Sequence, residues 1–308
     1  MPKIVFWNNF HKGDMHTQKE FIRQIVTELE GYEFGYMHDN PEKLLLGLGV
    51  PTLGSPSSLS PREPFYKDEN DTLYVNTWVG CFWDIFCENG GINMNTFIAQ
   101  WTKIFDFINQ ECGTNLKIKN REDYLPRVDY EQFDVNNINE FLANNKNKKV
   151  LVCNNVPQSG QSFASSMGEY ILPLAEADQD TLFICTNKID TNGLSNVLFT
   201  DDIIKCKDGC DLPEISYLSR HCDVIIGKNS GPYVFCETYD NFMDETKTFV
   251  SLNKKHPDFD TIKETMSNGV DYKCSYTTVP IFNIESPSAD DCERVYNAIV
   301  KALGYEEA

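Results

Sequence analysis

The chain has 308 residues, of which 41% are apolar, and a formal net charge of −19 from 27 basic and 46 acidic residues. This balance argues against binding to DNA, RNA or an anionic membrane surface, because those partners require a basic face. The length and the apolar fraction are sufficient for a substantial core and favour two domains over one. No run approaches the roughly 20 apolar residues of a membrane span, and the N-terminus is too polar for a signal peptide. We therefore expect a cytoplasmic protein without a membrane span.

The eleven cysteines are consistent with reduced thiols in such a compartment. The nearest approach to a metal pattern is Cys206-x3-Cys210, followed by the pair His221-Cys222. Its spacing is irregular and a second close pair is lacking, so zinc is disfavoured. The sequence predicts no metal site.

The N-terminal half predicts strands and helices from hydrophobic periodicity. In chain order we expect a strand over 3–7, a loop over 8–14, a helix over 16–29, a strand over 72–78 and a helix over 95–109. The stretch 136–149 is polar and rich in Asn and Lys, which is typical of a linker. It predicts a boundary between an N-terminal domain, 1–147, and a C-terminal domain, 148–308.

The C-terminal half repeats the alternation of strands and helices. We expect strands over 150–153, 182–185, 197–199, 248–252 and 279–281, and helices over 163–176, 213–220 and 289–303. This pattern predicts the α/β class, with two Rossmann-like doubly wound domains facing a cleft. Ligands of such sheets bind at the carboxyl ends of the strands.

One strand-loop-helix segment of the C-terminal half predicts an anion site. A buried strand over 224–226 leads into the loop 227–232, and a helix is expected from about Tyr233. Ser230 and Gly231 would present backbone N–H groups to a phosphate, and Pro232 suits the first turn of a helix. Lys228 adds a positive charge that a diphosphate would require. The segment therefore predicts binding of a phosphorylated small molecule, most plausibly a nucleotide.

The loop after the strand 150–153 is a second candidate for the same ligand. It carries Ser159, Gly160 and Gln161 at a predicted helix start, where small polar groups bind a phosphate or a sugar. An ordinary capped turn is the alternative. The segment lacks the GxxxxGK[ST] pattern, and no GxGxxG occurs in the chain.

The loop after the first strand predicts a catalytic group. Asp14 lies between His11 and His16 and close to Lys12, which is the neighbourhood that tunes the proton affinity of a general base. Asp14 as the N-cap of the following helix is the alternative interpretation.

Two motifs, in their order along the chain, resemble those of the GT-B glycosyltransferases, especially the heptosyltransferase-like enzymes of lipopolysaccharide synthesis. The segment 13–17, Gly-Asp-Met-His-Thr, is similar to their G-D-x-x-H-T motif, with one residue fewer between Asp14 and His16. The segment 227–234 is similar to their donor loop, G-x-D-[TS]-G-x-x-H. Asn229 and Val234 replace its acidic residue and its histidine, so the donor sugar is expected to differ from heptose.

The resemblance implies a metal-independent, inverting transfer of a hexosyl- or pentosyl-type sugar from a nucleotide-sugar to a glycan or another hydroxyl acceptor, without a cofactor. It implies Asp14, with His16, as the catalytic pair. The donor would contact residues 228–233, the segment 159–161 and Glu237, the last through the ribose hydroxyls.

Two other functions are also compatible with the sequence. A nucleotide-sugar epimerase or hydrolase on the same scaffold would turn over the donor without an acceptor. A non-catalytic carbohydrate- or nucleotide-binding protein would use the aromatic residues Trp78, Phe82 and Trp83 as a sugar-stacking surface, although core packing is the favoured explanation for these residues. The oligomeric state is not predicted.

Overall fold

The computed structural model describes residues 3–39, 42–155, 167–206, 210–228, 230–254, 270–281 and 288–305. The chain divides into two compact units, Met1–Gln132 with Lys263–Asp271, and Phe133–Ile262 with Tyr272–Ala308. Each unit contains one β-sheet and its own buried apolar residues.

The first unit is built on a four-stranded sheet. Its strands are β1 (Lys3–Trp7), β2 (Glu33–Met37), β3 (Phe65–Lys67) and β4 (Thr72–Asn76), and its helices include α1 (Lys12–Glu28), α2 (Trp83–Glu88) and α3 (Met94–Cys112). Short 3-10 helices cover Glu42–Leu45, Val79–Phe82, Arg121–Tyr124 and Tyr130–Gln132.

The strand order of the first unit, β2-β1-β4-β3, reverses between β1 and β4. Strand β1 is parallel to both of its neighbours, and β3 is antiparallel at the edge. In open α/β sheets such a reversal is the place where ligands bind, next to the carboxyl ends of the two strands. The loops after β1 and β4 therefore position the candidate site of this unit.

Helix α1 begins at Lys12 instead of at the predicted residue 16. Its N-cap, His11, is extended, with φ −108° and ψ 120°, and Asp14 lies in the first turn. A carboxylate is stabilised there by the positive end of the helix dipole. The first turn is polar, so hydrophobic periodicity could not detect it. Aromatic stacking then holds the helix in place, with Phe21 between Trp101, at a centroid distance of 5.1 Å, and Tyr124, at 3.8 Å.

The second unit is built on a six-stranded parallel sheet. Its strands are β5 (Lys149–Cys153), β6 (Leu182–Cys185), β7 (Val197–Phe199), β8 (Val224–Lys228), β9 (Thr248–Lys254) and β10 (Ser275–Ile281). Its helices include α4 (Asn136–Asn144), α5 (Gly168–Ala177), α6 (Thr200–Ile204), α7 (Leu212–Ser219), α8 (Gly231–Cys236), α9 (Tyr239–Phe242) and α10 (Ala289–Leu303).

The strand order of this unit, β10-β9-β8-β5-β6-β7, is the Rossmann order. The chain moves outward from β5 to β7 and then returns to the other side of β5 as β8, and all neighbouring strands are parallel. The order therefore reverses between β5 and β8. This is the position at which such sheets bind the phosphates of nucleotides. The prediction of two Rossmann-like units in an α/β chain is confirmed.

The polar stretch whose end the sequence predicts as the domain boundary contains helix α4, Asn136–Asn144. Its apolar residues are few, but Ile138 is buried. The side-chain amide of Asn137 also donates to the carbonyl oxygen of Ile204, at 3.1 Å, at the end of α6. These contacts attach the helix to the second unit, so the division between the units falls before it, after Gln132, and not at 147/148.

Candidate functional site

Asp14 is the third residue of helix α1, so the interpretation of this residue as the N-cap is wrong. Its side chain is 6% exposed, and within the described part of the chain Oδ2 has no hydrogen-bond partner. The backbone N–H of Val79, in the loop after β4, donates a hydrogen bond to the carboxylate. Burial raises the pKa of Asp14 to about 7, against the opposing effect of that hydrogen bond. A carboxylate with this pKa can accept a proton near neutral pH.

Two uncharged side chains, those of Tyr36 and Cys81, interact with the charge of Asp14. The Tyr36 hydroxyl forms a 2.7 Å hydrogen bond with the Thr77 hydroxyl. Burial, with a contribution from the Asp14 charge, raises the pKa of Tyr36, and the same two causes raise the pKa of Cys81. Tyr36 and Cys81 therefore remain protonated and uncharged beside Asp14 at neutral pH.

His16 is 2% exposed and lies two residues after Asp14 on α1. Side chains two residues apart do not face each other on a helix. The predicted catalytic role of His16 stays a prediction.

A buried polar network one turn further along α1 supports the Asp14 segment. The Gln18 amide donates to the Thr77 carbonyl oxygen at 2.8 Å, and Gln18 Oε1 accepts from Trp101 Nε1 at 2.9 Å. Gln100 Nε2 donates to both Gln18 Oε1 and the Thr77 carbonyl oxygen, each at 3.2 Å. These bonds tie α1 and α3 to the end of β4. No sequence pattern indicates that Thr77 and Val79 belong to the site. The only signal for Gln18 is its i+4 spacing from Asp14.

In the second unit, the loops at the reversal between β5 and β8 include several predicted residues that lie outside the described residues. These are Ser159, Gly160, Gln161 and Asn229. Hydrogen bonds hold the start of the loop after β5, which the structure describes. Asn154 Oδ1 accepts from the backbone N–H of Asn187 at 2.8 Å, and Asn154 Nδ2 donates to the Asn187 carbonyl oxygen at 3.0 Å. Asn154 thus fixes the exit of β5 against the exit of β6.

Lys228 is the last residue of β8 and not part of the loop, and its side chain is fully buried. Burial lowers the pKa of Lys228 to about 8, while the nearby charge of Glu169, in the first turn of α5, acts in the opposite direction. The prediction that Lys228 lies in the loop is wrong. The lysine is instead a desolvated cation at the carboxyl end of a central strand, where its charge acts through a medium of low dielectric constant.

Ser230 is the N-cap of helix α8, and Pro232 lies in the first turn as predicted. The Ser230 side chain is 8% exposed, and its hydroxyl forms no hydrogen bond with any residue in the described ranges. An N-cap serine normally accepts from the helix backbone, so this hydroxyl has unused capacity for a hydrogen bond. A Cβ placed on Gly231 would contact only the Leu212 side chain, at 3.6 Å.

Tyr233 and Glu237 lie in the same segment, and both are buried. Tyr233 is 1% exposed, and a Cβ on Gly227 would lie 2.5 Å from its ring, so Gly227 allows the ring to pack on β8. The Tyr233 hydroxyl donates to the Tyr276 hydroxyl at 3.4 Å, and Tyr276 donates to Glu237 Oε1 at 3.0 Å. Glu237 follows α8 and is buried. Its predicted contact with ribose stays a prediction.

Across the described residues, no group of three or more His, Cys, Asp or Glu side chains is arranged to hold a metal ion. Among the aromatic residues considered for sugar stacking, Phe82 is buried against Phe65, Trp78 is half-buried, and Trp83 is 59% exposed and stacks on Phe86. None of the helices in the described ranges is both long enough and apolar enough to cross a membrane.

Solved structures with a similar fold include sugar-transferring enzymes. No protein-family model matches the chain, and no curated protein matches its sequence. The structure of E. coli heptosyltransferase WaaC with ADP-2-deoxy-2-fluoro heptose matches with a TM-score of 0.50 at 9% identity, over 99% of this chain and 100% of that one. The chain has a GT-B fold.

Two further structures match this GT-B fold less closely. E. coli ADP-heptose lps heptosyltransferase II has a TM-score of 0.49 at 12% identity, over 100% of both chains. The UDP-GlcNAc 2-epimerase from Neisseria meningitidis bound to UDP-GlcNAc has a TM-score of 0.42 at 9% identity, over 98% of this chain and 92% of that one. At these identities the likeness concerns the fold alone.

Proposed function

We propose that the chain is a glycosyltransferase that moves a sugar from a nucleotide-sugar to a hydroxyl acceptor. The observation that carries the proposal is Asp14, a buried carboxylate with a pKa of about 7 at the strand reversal of the first unit. The Rossmann order of the second unit supports a nucleotide as the carrier of the sugar. The WaaC structure, which has the same fold, holds an ADP-linked fluoroheptose.

In the proposed reaction, Asp14 Oδ2 accepts the proton of the acceptor hydroxyl as that oxygen attacks the anomeric carbon of the donor. A bond forms between the acceptor oxygen and the anomeric carbon, and the bond from that carbon to the diphosphate oxygen breaks. The diphosphate leaves with its electron pair, and the configuration of the sugar is inverted.

The donor diphosphate is assigned to the carboxyl end of β8. Lys228 would supply the positive charge, and the Ser230 hydroxyl and the backbone N–H of Gly231 would donate hydrogen bonds. Because these groups oppose the charge of the leaving group, the proposal does not require a metal ion. The sugar, the base of the nucleotide and the oligomeric state are not assigned.

The Asp14→Asn variant tests the proposal most directly. We expect it to lose transfer by at least about 100-fold and to retain nucleotide affinity, because a general base contributes about 10²–10⁴-fold. Thermal-shift screening with UDP, GDP, ADP, dTDP and CMP sugars identifies the donor for this assay. Full activity of the variant would contradict the role of Asp14. Donor turnover in the absence of any acceptor would instead favour an epimerase or a hydrolase.

A further inference from the structure

An aromatic pair lies at the strand reversal of the first unit. Phe10 is in the loop after β1 and Trp78 is in the loop after β4, and their ring centroids are 4.3 Å apart at an interplanar angle of 45°. Phe10 is 47% exposed and Trp78 is half-buried. A Cβ on Gly80 would lie 2.2 Å from the Trp78 ring, so the indole is packed closely over that glycine. The pair therefore presents one exposed aromatic ring, that of Phe10, packed against a second ring that is partly buried.

The same two loops hold Asp14. Phe10 precedes the N-cap of α1 by one residue, and Asp14 is in the first turn of that helix. Trp78 directly precedes Val79, whose backbone N–H donates to the Asp14 carboxylate. Each ring of the aromatic pair is therefore followed, within four residues, by a group of the Asp14 hydrogen bond: Asp14 itself after Phe10, and Val79 after Trp78.

Polar atoms next to the aromatic pair have unused hydrogen-bonding capacity. Asn8 is fully buried, and its Oδ1 accepts from the Phe10 N–H at 2.8 Å, which fixes the turn. Within the part of the chain that the structure describes, Asn8 Nδ2 and Asn9 Oδ1 are buried and form no hydrogen bond. Buried amide atoms without partners are rare because desolvation is costly. Here one donor and one acceptor lie in the loop that carries Phe10.

We propose that Phe10 and Trp78 form a stacking surface for a sugar ring of the acceptor, which identifies the acceptor as a carbohydrate. A pyranose has an apolar C–H face that packs on aromatic rings and hydroxyl groups at its edge that require amide partners. The aromatic pair supplies the first, and the loop that carries Phe10 holds two amide atoms without a partner among the described residues for the second. An alkyl chain would use the rings but leave the amide atoms without partners. The proposal extends the proposed function to the acceptor, although sugar binding can be measured without transfer.

The test uses the full chain and the uncharged tetrasaccharides chitotetraose, cellotetraose and maltotetraose, together with decyl maltoside as an apolar competitor. Binding is measured by calorimetry and by intrinsic tryptophan fluorescence. We expect at least one tetrasaccharide to bind and to change the fluorescence, and Phe10→Ala to weaken that binding about 3- to 10-fold. Trp78→Phe, which retains a ring over Gly80, should abolish most of the fluorescence change.

Tyr66→Ala is the matched control, because Tyr66 is also an exposed aromatic residue, at 46%, and pairs with Tyr74 at the sheet edge, away from the two loops. It should bind the tetrasaccharide as the wild type does. The proposal is overturned if no tetrasaccharide binds, if Tyr66→Ala weakens binding as much as Phe10→Ala, or if only decyl maltoside binds. If sugar binding depends on Phe10 but Asp14→Asn keeps full transfer, the general-base assignment fails and the stacking surface stands.

Discussion

The backbone N–H of Val79 donates a hydrogen bond to the carboxylate of Asp14, which joins the loop after β4 to the first turn of α1. This hydrogen bond favours the ionised carboxylate, whereas burial disfavours it, and burial has the larger effect. The resulting pKa of about 7 controls both the stability of the unit and the proposed chemistry.

The stability of the protein should fall as the pH rises through the titration of Asp14. Its pKa is about 7 in the folded state against 3.8 for an aspartate in solvent, so the folded state binds more protons than the unfolded state between these values. Stability is therefore lost between about pH 4 and pH 7 and is constant, for this group, above that range. Asp14→Asn removes this loss. Its free energy of unfolding should therefore exceed that of the wild type by up to about 4 kcal/mol between pH 4 and pH 8.

Urea denaturation at pH 4, 6 and 8 measures this difference. Asp106→Asn, at an exposed position of α3 in the same unit, is the control, and its difference from the wild type should change little with pH. A constant difference between Asp14→Asn and the wild type across the series would show that Asp14 is not desolvated in the folded protein.

The rate of transfer should show a bell-shaped dependence on pH. Asp14 must be ionised to accept a proton, so the rate rises through about pH 7. Lys228 must be protonated to oppose the diphosphate charge, so donor affinity falls above about pH 8. Profiles of kcat/KM and of nucleotide affinity measured from pH 5 to pH 10 separate the effect of Asp14 ionisation from that of Lys228 deprotonation. An unchanged nucleotide affinity up to pH 10 would contradict the role of Lys228.

Ser230→Ala should weaken nucleotide binding about 5- to 10-fold without destabilising the protein. The Ser230 hydroxyl makes no hydrogen bond to the described residues, so its loss removes only a contact with the ligand. Ser288→Ala is the matched control at another helix N-cap. There the hydroxyl accepts from the backbone N–H of Asp291 at 3.1 Å, so this variant should lose about 1 kcal/mol of stability and keep its nucleotide affinity. If Ser230→Ala and Ser288→Ala lost equal stability, the Ser230 hydroxyl would be an ordinary capping group and not one free to bind the ligand.

Gly227→Ala should destabilise the second unit by about 2–3 kcal/mol, because the new methyl group would lie 2.5 Å from the Tyr233 ring and 2.7 Å from the Cys153 Cβ. Gly231→Ala should leave stability nearly unchanged, since its methyl group would contact only Leu212 at 3.6 Å. Thermal melting compares the two variants. If Gly231→Ala nevertheless lowers nucleotide affinity, the backbone at Gly231 approaches the ligand closely; if it does not, the assignment of its N–H to the diphosphate is weakened.

Much of the fold could be predicted because its signals are local. Strand β6, LFIC, is a short apolar run, as expected for a strand buried on both faces, and α10 has both a capping serine, Ser288, and a terminating glycine, Gly304. Helix α4 was missed because its Asn-rich sequence has low helix propensity and is held by a tertiary contact through Asn137.

The candidate site was predictable only in part. The position of Asp14 after a buried strand indicated a sheet edge, which the structure confirms. Its contact with Val79 joins residues far apart in the sequence, and no local pattern encodes such a contact. The burial of Lys228 was missed for a similar reason, because a lysine after apolar residues is typical of a strand that has ended in solvent.

The strand order of the second unit has a consequence for how the chain folds. Strand β5 pairs with β6, which follows soon after it, but its other edge is completed only by β8. During synthesis β5 is therefore made long before its second partner, and its VLVC edge is open while β7, α6 and α7 are added. Exposed apolar strand edges promote association between chains. Truncated forms that end before β8 should thus aggregate, because the topology that creates the candidate nucleotide site also leaves one edge of β5 without a partner until β8 is made.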